Sequence, residues 1–517
     1  MKRLLSSCFA ALTLGIPVAQ AQTVTSATIT IDATDRKPIS RFIYGANFPK
    51  WEEIGLPFTL ARQGGNRMSA YNWENNASNA GSDWHHQNDS LMSNSNEPGL
   101  VGRQFLEETR RHKATAILTV PMTGYVAADK KGDGDVNQTP NYLETRFKKS
   151  LPRKSGPLVY PPNPNDAFVY QDEYVAYIEK IKGPDMNVWY ALDNEPDIWS
   201  GTHARIVPKT PTYAEFIARS IDYASAIKAV APNALISGPV SYGWQGFRRF
   251  QNASDANNRD FLDVYLSAMA DAERKSGKRL LDLLDIHWYP EARGGGVRIT
   301  EESQNPATAV ARIQAPRSLW DPTYVEDSWI VQSLGGKSIA LIPGLQQQIA
   351  THYPGTKLAI TEYNYGGKND ISGAIAQADV LGIFGRYGVF AACNWGISPG
   401  DTAEIAGFRA FLNFDGQGAQ FGDLGLGVQG ETPSEDSVYA ALDSKNKDRL
   451  TVVVINKTES VLPIQLLLKG FLPKEASAYR VTAKSLTQSR PVSVTVKGSK
   501  VTLAALPLSI NTVIVTR

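Results

Sequence analysis

Two glutamates stand at the ends of short apolar runs. Glu195 closes Val188-Trp189-Tyr190-Ala191-Leu192-Asp193-Asn194, and Glu362 closes Leu358-Ala359-Ile360-Thr361. Two carboxyl groups on either side of a glycosidic bond can break it. One protonates the leaving oxygen, and in a retaining enzyme the other attacks the anomeric carbon. Either glutamate alone could be a structural hydrogen-bonding residue. Paired at strand ends and close to Trp and Tyr, they point to sugar chemistry. Asn194 adds to this, because an amide beside the acid can bond a sugar 2-hydroxyl, a contact that strengthens in the transition state.

Carboxyls that act together must be brought to one face of a scaffold. Eight runs read as strands. They end near Gly45-Ala46-Asn47, Gly64-Gly65-Asn66, Val120-Pro121-Met122, Asp193-Asn194-Glu195, Ser237-Gly238-Pro239, His287-Trp288-Tyr289, Thr361-Glu362-Tyr363 and Asn394-Trp395-Gly396. Helical patterns lie between them. Thr212 and Glu215 have capping-box spacing, with Ile217, Ile221, Ala224 and Ile227 recurring on one face behind them. Leu345 to Ala350 and Ile375 to Phe384 also read as helix. Alternating strands and helices predict an α/β fold, a (β/α)8 TIM barrel. A doubly wound open sheet is the competing arrangement, but no Gly-rich phosphate-binding turn follows the first strand. In a barrel, strands four and seven face each other, so Glu195 and Glu362 should approach to about 5 Å.

Residues 126–166 and 289–328 are expected to be long loops that build the cleft. After residue 415 the helical period disappears. Leu450 to Ile455, Leu462 to Leu468, Val492 to Val496 and Val513 to Val515 read as strands of a β-sandwich. Thr28-Ile29-Thr30-Ile31 alternates as well and should add an N-terminal strand to it. The expected division is a signal peptide over 1–21, the joining strand over 22–40, the barrel over 41–414 and the sandwich over 415–517.

Other residues are candidates for holding sugar. Trp395 ends the eighth strand and could floor the central subsite, because sugar C–H faces stack on aromatic rings. Trp51, Trp199, Tyr242 and Tyr289 follow strand ends, each with core packing as its alternative; Trp189, inside the fourth strand, is assigned to the core. Asn66 and His287 could contact sugar hydroxyls or the nucleophilic carboxylate, or simply close the barrel mouth. Competing chemistries fit less well. Gly396-Ile397-Ser398-Pro399-Gly400 matches a nucleophile elbow, but Pro399 has no N–H for an oxyanion hole. No tight histidine ligand set exists, and His85-His86 reads as a solvated pair. Asp129, Asp133 and Asp135 lack the spacing and distal Glu of a calcium loop.

Lys2 and Arg3, the apolar stretch Leu4 to Val18 and Ala19-Gln20-Ala21 predict a secretory signal, with an extracellular or periplasmic product and no membrane span. Leu5-Ser6-Ser7-Cys8 resembles a lipoprotein box, but too few apolar residues precede it. Without the signal, 51 basic and 51 acidic side chains remain, so no basic excess is available for nucleic acid. Cys393 is then the lone cysteine and has no partner for a disulfide.

These residues resemble a family. Asn-Glu after strand four and Glu after strand seven are similar to the large retaining-barrel clan of glycosidases. More narrowly, Gln63-Gly64-Gly65-Asn66-Arg67, Tyr71-Asn72-Trp73, Asp193-Asn194-Glu195-Pro196-Asp197, Trp199-Ser200-Gly201-Thr202-His203 and Thr361-Glu362-Tyr363-Asn364 resemble glycoside hydrolase family 44. The resemblance implies a barrel with a small β-sandwich and endo action on β-1,4-glucans, including xyloglucan. It implies Glu195 as acid/base and Glu362 as nucleophile. No cofactor is required; a structural calcium is allowed, without assignable ligands. The expected partner is a β-glucan or xyloglucan polysaccharide, bound by a monomer. The alternatives are a clan relative such as a xylanase or mannanase, or a non-catalytic carbohydrate-binding protein.

Overall fold

A computed structural model describes residues 27–303 and 305–517. The expected signal segment lies outside the described residues. Eight parallel strands close into a barrel in chain order: Gly45–Asn47, Leu60–Gln63, Thr115–Val120, Val188–Leu192, Ile236–Ser241, Leu283–Trp288, Lys357–Tyr363 and Ala391–Asn394. They are the eight runs read from the sequence. The first strand closes on the eighth through Cys393 opposite Gly45. Glycine is required at that seam, since a Cβ on Gly45 would lie 2.5 Å from the Ala392 carbonyl oxygen.

Both faces of the strands are buried, so apolar residues recur along most of them without the alternation of a half-exposed sheet. On the fourth strand, Trp189 and Ala191 join the barrel interior with Leu60, Ile117 and Leu283. Val188, Tyr190 and Leu192 instead pack outward in the main core. Trp189 stacks on Phe390 at a centroid distance of 5.6 Å.

The helix Tyr213–Val230 begins with the full capping box of Thr212 and Glu215. Its buried stripe is Phe216, Ser220, Tyr223, Ala224 and Ile227, whereas Ile217 and Ile221 are only partly buried against the core. The pattern in the sequence predicts this helix, with its stripe rotated by about one residue. The helices Leu341–His352 and Ile371–Arg386 are longer than their patterns suggested.

The expected long loops carry structure of their own. Residues 126–166 contribute to a three-stranded sheet built from Tyr125–Ala127, Phe147–Leu151 and Phe168–Tyr170. Residues 289–328 hold a short hairpin, Arg293–Gly294 with Val297–Arg298, and the helix Pro306–Gln314.

Tyr71–Asn72, Ala77–Asn79 and Asn88–Asp89 make a small separate sheet, and ten further strands form one sheet around a second apolar core, with Ile29, Ile31, Val452, Val454, Leu466 and Val513 inside. The N-terminal strand Ala27–Pro38 completes it, antiparallel to Leu424–Gln429 and parallel to Leu462–Lys469. The expected strand Val492 to Val496 is two strands, Arg490–Val492 and Thr495–Lys497. Four strands escaped the sequence reading: Leu424–Gln429, Asp436–Leu442, Glu475–Val481 and Lys500–Ala505. Alternating Gly or Ala thins their hydrophobic signal. The sheet is fastened to the barrel by a buried ion pair, Lys457 Nζ to Asp379 Oδ2 at 2.8 Å. The Tyr439 hydroxyl donates to the same carboxylate at 2.6 Å.

Candidate active site

The C-terminal ends of the strands meet in a cavity of about 630 Å³ bordered by Glu195 and Glu362. The chain leaves the fourth strand through an unusual turn. Asp193 (φ 66°) and Glu195 (φ 47°) both take left-handed backbone conformations. Such conformations cost non-glycine residues about 1–3 kcal/mol each and survive only where the surroundings enforce them. Asp193 supplies much of that enforcement. Its buried carboxylate accepts from Ser69 Oγ at 2.5 Å, from the Met122 N–H and from the Asn194 N–H at 2.7 Å. It thereby ties the mouths of strands two, three and four together. The Glu195 N–H donates to the Val240 carbonyl at 2.9 Å. Asp197 accepts from the Tyr242 N–H at 3.0 Å and from Gln251 Nε2 at 3.3 Å, linking this turn to the one after strand five. Burial pushes both Asp193 and Asp197 up to about 7.

Glu362 is aimed by a bulge. The seventh strand slips register against both neighbours at Thr361, and such a slip re-aims the next side chain. Thr361 is held on three sides. Its hydroxyl and N–H donate to Asp285 at 2.9 and 3.2 Å, and its carbonyl accepts from Asn47 Nδ2 at 2.9 Å.

One carboxylate oxygen each from Glu195 and Glu362, and a ring nitrogen of His287, lie within 4.8 Å of one another. His287 Nδ1 is 2.8 Å from Glu195 Oε1 and 3.4 Å from Glu362 Oε2. The two carboxyls sit in different surroundings. Glu362 Oε1 accepts from Arg62 Nη1 at 2.6 Å and Oε2 from the Tyr289 hydroxyl at 2.8 Å. Burial raises its pKa, and the Arg62 charge and these hydrogen bonds offset only part of that rise. At Glu195, burial is reinforced by the negative charges of Glu362 and Asp197, and its pKa is raised well above the usual range. Two buried acids this close share a proton, and these surroundings give it to Glu195. His287 is wholly buried, and burial together with the Arg62 charge keeps its imidazole neutral. Two acids and an imidazole are also a plausible metal ligand set, but a cation there would face the Arg62 guanidinium already bound to Glu362.

Arg62 is the residue the sequence reading missed. It is fully buried on the second strand and spans the site, donating also to Asn47 Oδ1 at 3.0 Å and Asn194 Oδ1 at 2.8 Å. A charged residue inside the apolar run Leu60–Gln63 was the signal that could have revealed it. Its bonds fix Asn194 so that the amide nitrogen faces Asn66 Oδ1 at 3.4 Å. Trp395 borders the cavity under Gly65 (φ +84°), where a Cβ would lie 2.5 Å from the indole.

Asn66, Asn194, Tyr242, Tyr289 and Trp395 therefore line the same cavity as the two glutamates, and His287 lies buried behind them. Two expected sugar contacts do not. Trp51 is buried, stacks on His112 at 4.6 Å and donates its N–H to the Phe58 carbonyl at 3.3 Å. Trp199 is completely buried and donates to the Asn194 carbonyl at 2.9 Å, so it braces the turn from behind. The cavity wall also includes Phe48, Asp83, Leu91 and Met92, which carried no sequence signal. Phe48 follows strand one, and the segment after strand two, not residues 126–166, supplies Asp83, Leu91 and Met92. Asp129 and Asp133 are bonded to Arg146, and Asp135 to Arg205, so guanidinium groups occupy those carboxylates.

A model of glycoside hydrolase family 44 matches residues 77–292. Endoglucanase A of Paenibacillus lautus is 41% identical over 480 residues, 88% of this chain and 68% of the relative. Beta-mannanase/endoglucanase A of Caldicellulosiruptor saccharolyticus is 40% identical over 82% of this chain, which spans only 33% of that protein. A Paenibacillus polymyxa family 44 xyloglucanase, solved with xyloglucan, superposes with a TM-score of 0.89 at 38% identity, covering 95% of this chain and 100% of that one. With that identity and coverage behind the two-carboxylate barrel, the chain belongs to glycoside hydrolase family 44.

Proposed function

We propose that this glycoside hydrolase cleaves β-1,4-glucosidic bonds within cellulose-like polysaccharides or xyloglucan, with retention of anomeric configuration. The observation that carries this reading is the carboxyl pair itself. Its oxygens approach within 4.8 Å while the surroundings hold a proton on Glu195 and leave Glu362 bonded to Arg62. Retaining glycosidases separate their two carboxyls by about 5–5.5 Å, and inverting ones by more.

In the first step a Glu362 oxygen attacks the anomeric carbon. The glycosidic C–O bond breaks, and the Glu195 proton goes to the departing oxygen. In the second step Glu195, now a carboxylate, takes a proton from water. The resulting hydroxide attacks the same carbon and frees Glu362. Arg62 and the Tyr289 hydroxyl orient Glu362 for both steps, and Asn194 stands where a sugar 2-hydroxyl would lie. This chemistry needs no cofactor.

The names of the relatives support a glucan substrate, and the mannanase in one of them keeps mannan as a second reading. A panel of xyloglucan, carboxymethylcellulose, xylan and mannan with product-length analysis separates these. Polymer products of intermediate length support endo action, and a binding protein would release no new reducing ends. The mechanism is tested with Glu362→Ala. Turnover should vanish and return with azide, which yields a glycosyl azide of inverted configuration. Ordinary activity in that variant would refute the assignment. The N-terminal signal-like segment supports export from the cytoplasm, and the chain is taken to act as a monomer.

A further inference from the structure

Phe48 follows the first barrel strand and combines two features that oppose folding. Its backbone is left-handed (φ 44°), a conformation in which the Cβ of an L-residue is crowded. The residue is 40% exposed. Among the described residues it is the one large apolar side chain with both properties. Phe250, the other phenylalanine at positive φ, is fully buried. Backbone strain at an exposed apolar residue points to a role outside the fold.

The surroundings say what that role is. The Phe48 N–H donates to the Arg62 carbonyl at 3.0 Å, which pins the turn to the second strand. One edge of the ring meets Phe105 at 6.2 Å in a T-shaped contact, and the ring borders the cavity of the two glutamates. The first strand lies between the eighth and the second. Phe48 thus sits on the Trp395 side, three strands away from the one that carries Glu195. In the proposed reaction the leaving group departs on the Glu195 side, so the opposite side holds the glycone.

We infer that Phe48 is an aromatic platform for a glycone sugar ring beyond the one attacked by Glu362. The inference rests on reading the site as that of a retaining glycosidase. Phenylalanine stacks on the apolar face of a pyranose without selecting a particular hydroxyl, so the platform reads chain length. The left-handed turn projects the ring into the cleft at the expense of local backbone energy.

The test uses the full chain with Phe48→Ala, Phe48→Tyr and Phe48→Gly. Substrates are aryl β-glycosides bearing one, two or three glucosyl units. In the wild type kcat/KM should rise with length. Phe48→Ala should lose about tenfold of that gain, about 1.4 kcal/mol, and Phe48→Tyr should keep it. Phe48→Gly should lose the gain too, yet melt at or above the wild-type temperature, because glycine tolerates the backbone conformation. A lower Tm in Phe48→Gly with an intact length gain would overturn the inference and make Phe48 a packing partner of Phe105. If the wild type cleaves neither these glycosides nor polysaccharide, the glycosidase reading itself falls and takes the platform with it.

Discussion

Arg62 Nη1 lies 2.6 Å from Glu362 Oε1, and both side chains are buried. The same guanidinium reaches Asn47 and Asn194, so one residue on strand two orients groups from strands one, four and seven. Lysine carries the charge but not the planar fork. Arg62→Lys should lower kcat by about 10²–10³-fold, the scale of losing a preorganised electrostatic contact. The Arg62 charge lowers the Glu362 pKa, so Arg62→Met, which removes that charge, should move the acid limb of the kcat/KM profile to higher pH. An unshifted acid limb would mean that Arg62 acts on geometry alone.

The proton on Glu195 depends partly on its neighbour. The charge on Glu362 raises the Glu195 pKa, so Glu362→Gln should lower it. Infrared or carbon-13 titration of the Glu195 carboxyl reads this directly. A pKa that stays put would leave burial and the Asp197 charge as its causes.

Trp199 was a candidate sugar contact and is instead a brace. Trp199→Phe keeps the buried ring but leaves the Asn194 carbonyl without its 2.9 Å donor. An unpaired buried carbonyl costs about 1–3 kcal/mol, so Tm should fall while KM for polysaccharide holds. The reverse pattern, a raised KM at constant Tm, would restore Trp199 to the cleft.

Glu404 lies behind the cleft, and burial pushes it up to about 7. Its Oε1 accepts from Asn394 at 2.6 Å and Asn364 at 3.1 Å, and Asn364 also donates to the Trp395 carbonyl at 2.9 Å. A folded-state pKa above the unfolded value means that the folded protein holds its proton longer. The associated stability is present below pH 4.5 and is lost as pH rises to about 7. Glu404→Gln should therefore show a shallower loss of Tm across that window. Equal slopes in the two proteins would show that Glu404 does not titrate there.

Much of this protein is local and therefore legible in its sequence. Short runs rich in apolar residues marked all eight barrel strands, because strands buried on both faces are mostly hydrophobic. Two glutamates at strand ends were visible as a candidate pair for the same reason. What escaped depends on residues far apart in the chain. Arg62 and Glu362 are separated by 300 positions, and only barrel closure brings them together. Trp51 and Trp199 had the residue type of a sugar contact, but packing directions turned both inward. Phe48 had no motif, and its backbone angle exists only in the folded turn. The sequence by itself determined the barrel strands, the presence of a sheet domain and the acidic pair. The tertiary structure decided which acid holds the proton, because burial and neighbouring charge are properties of the assembled barrel mouth.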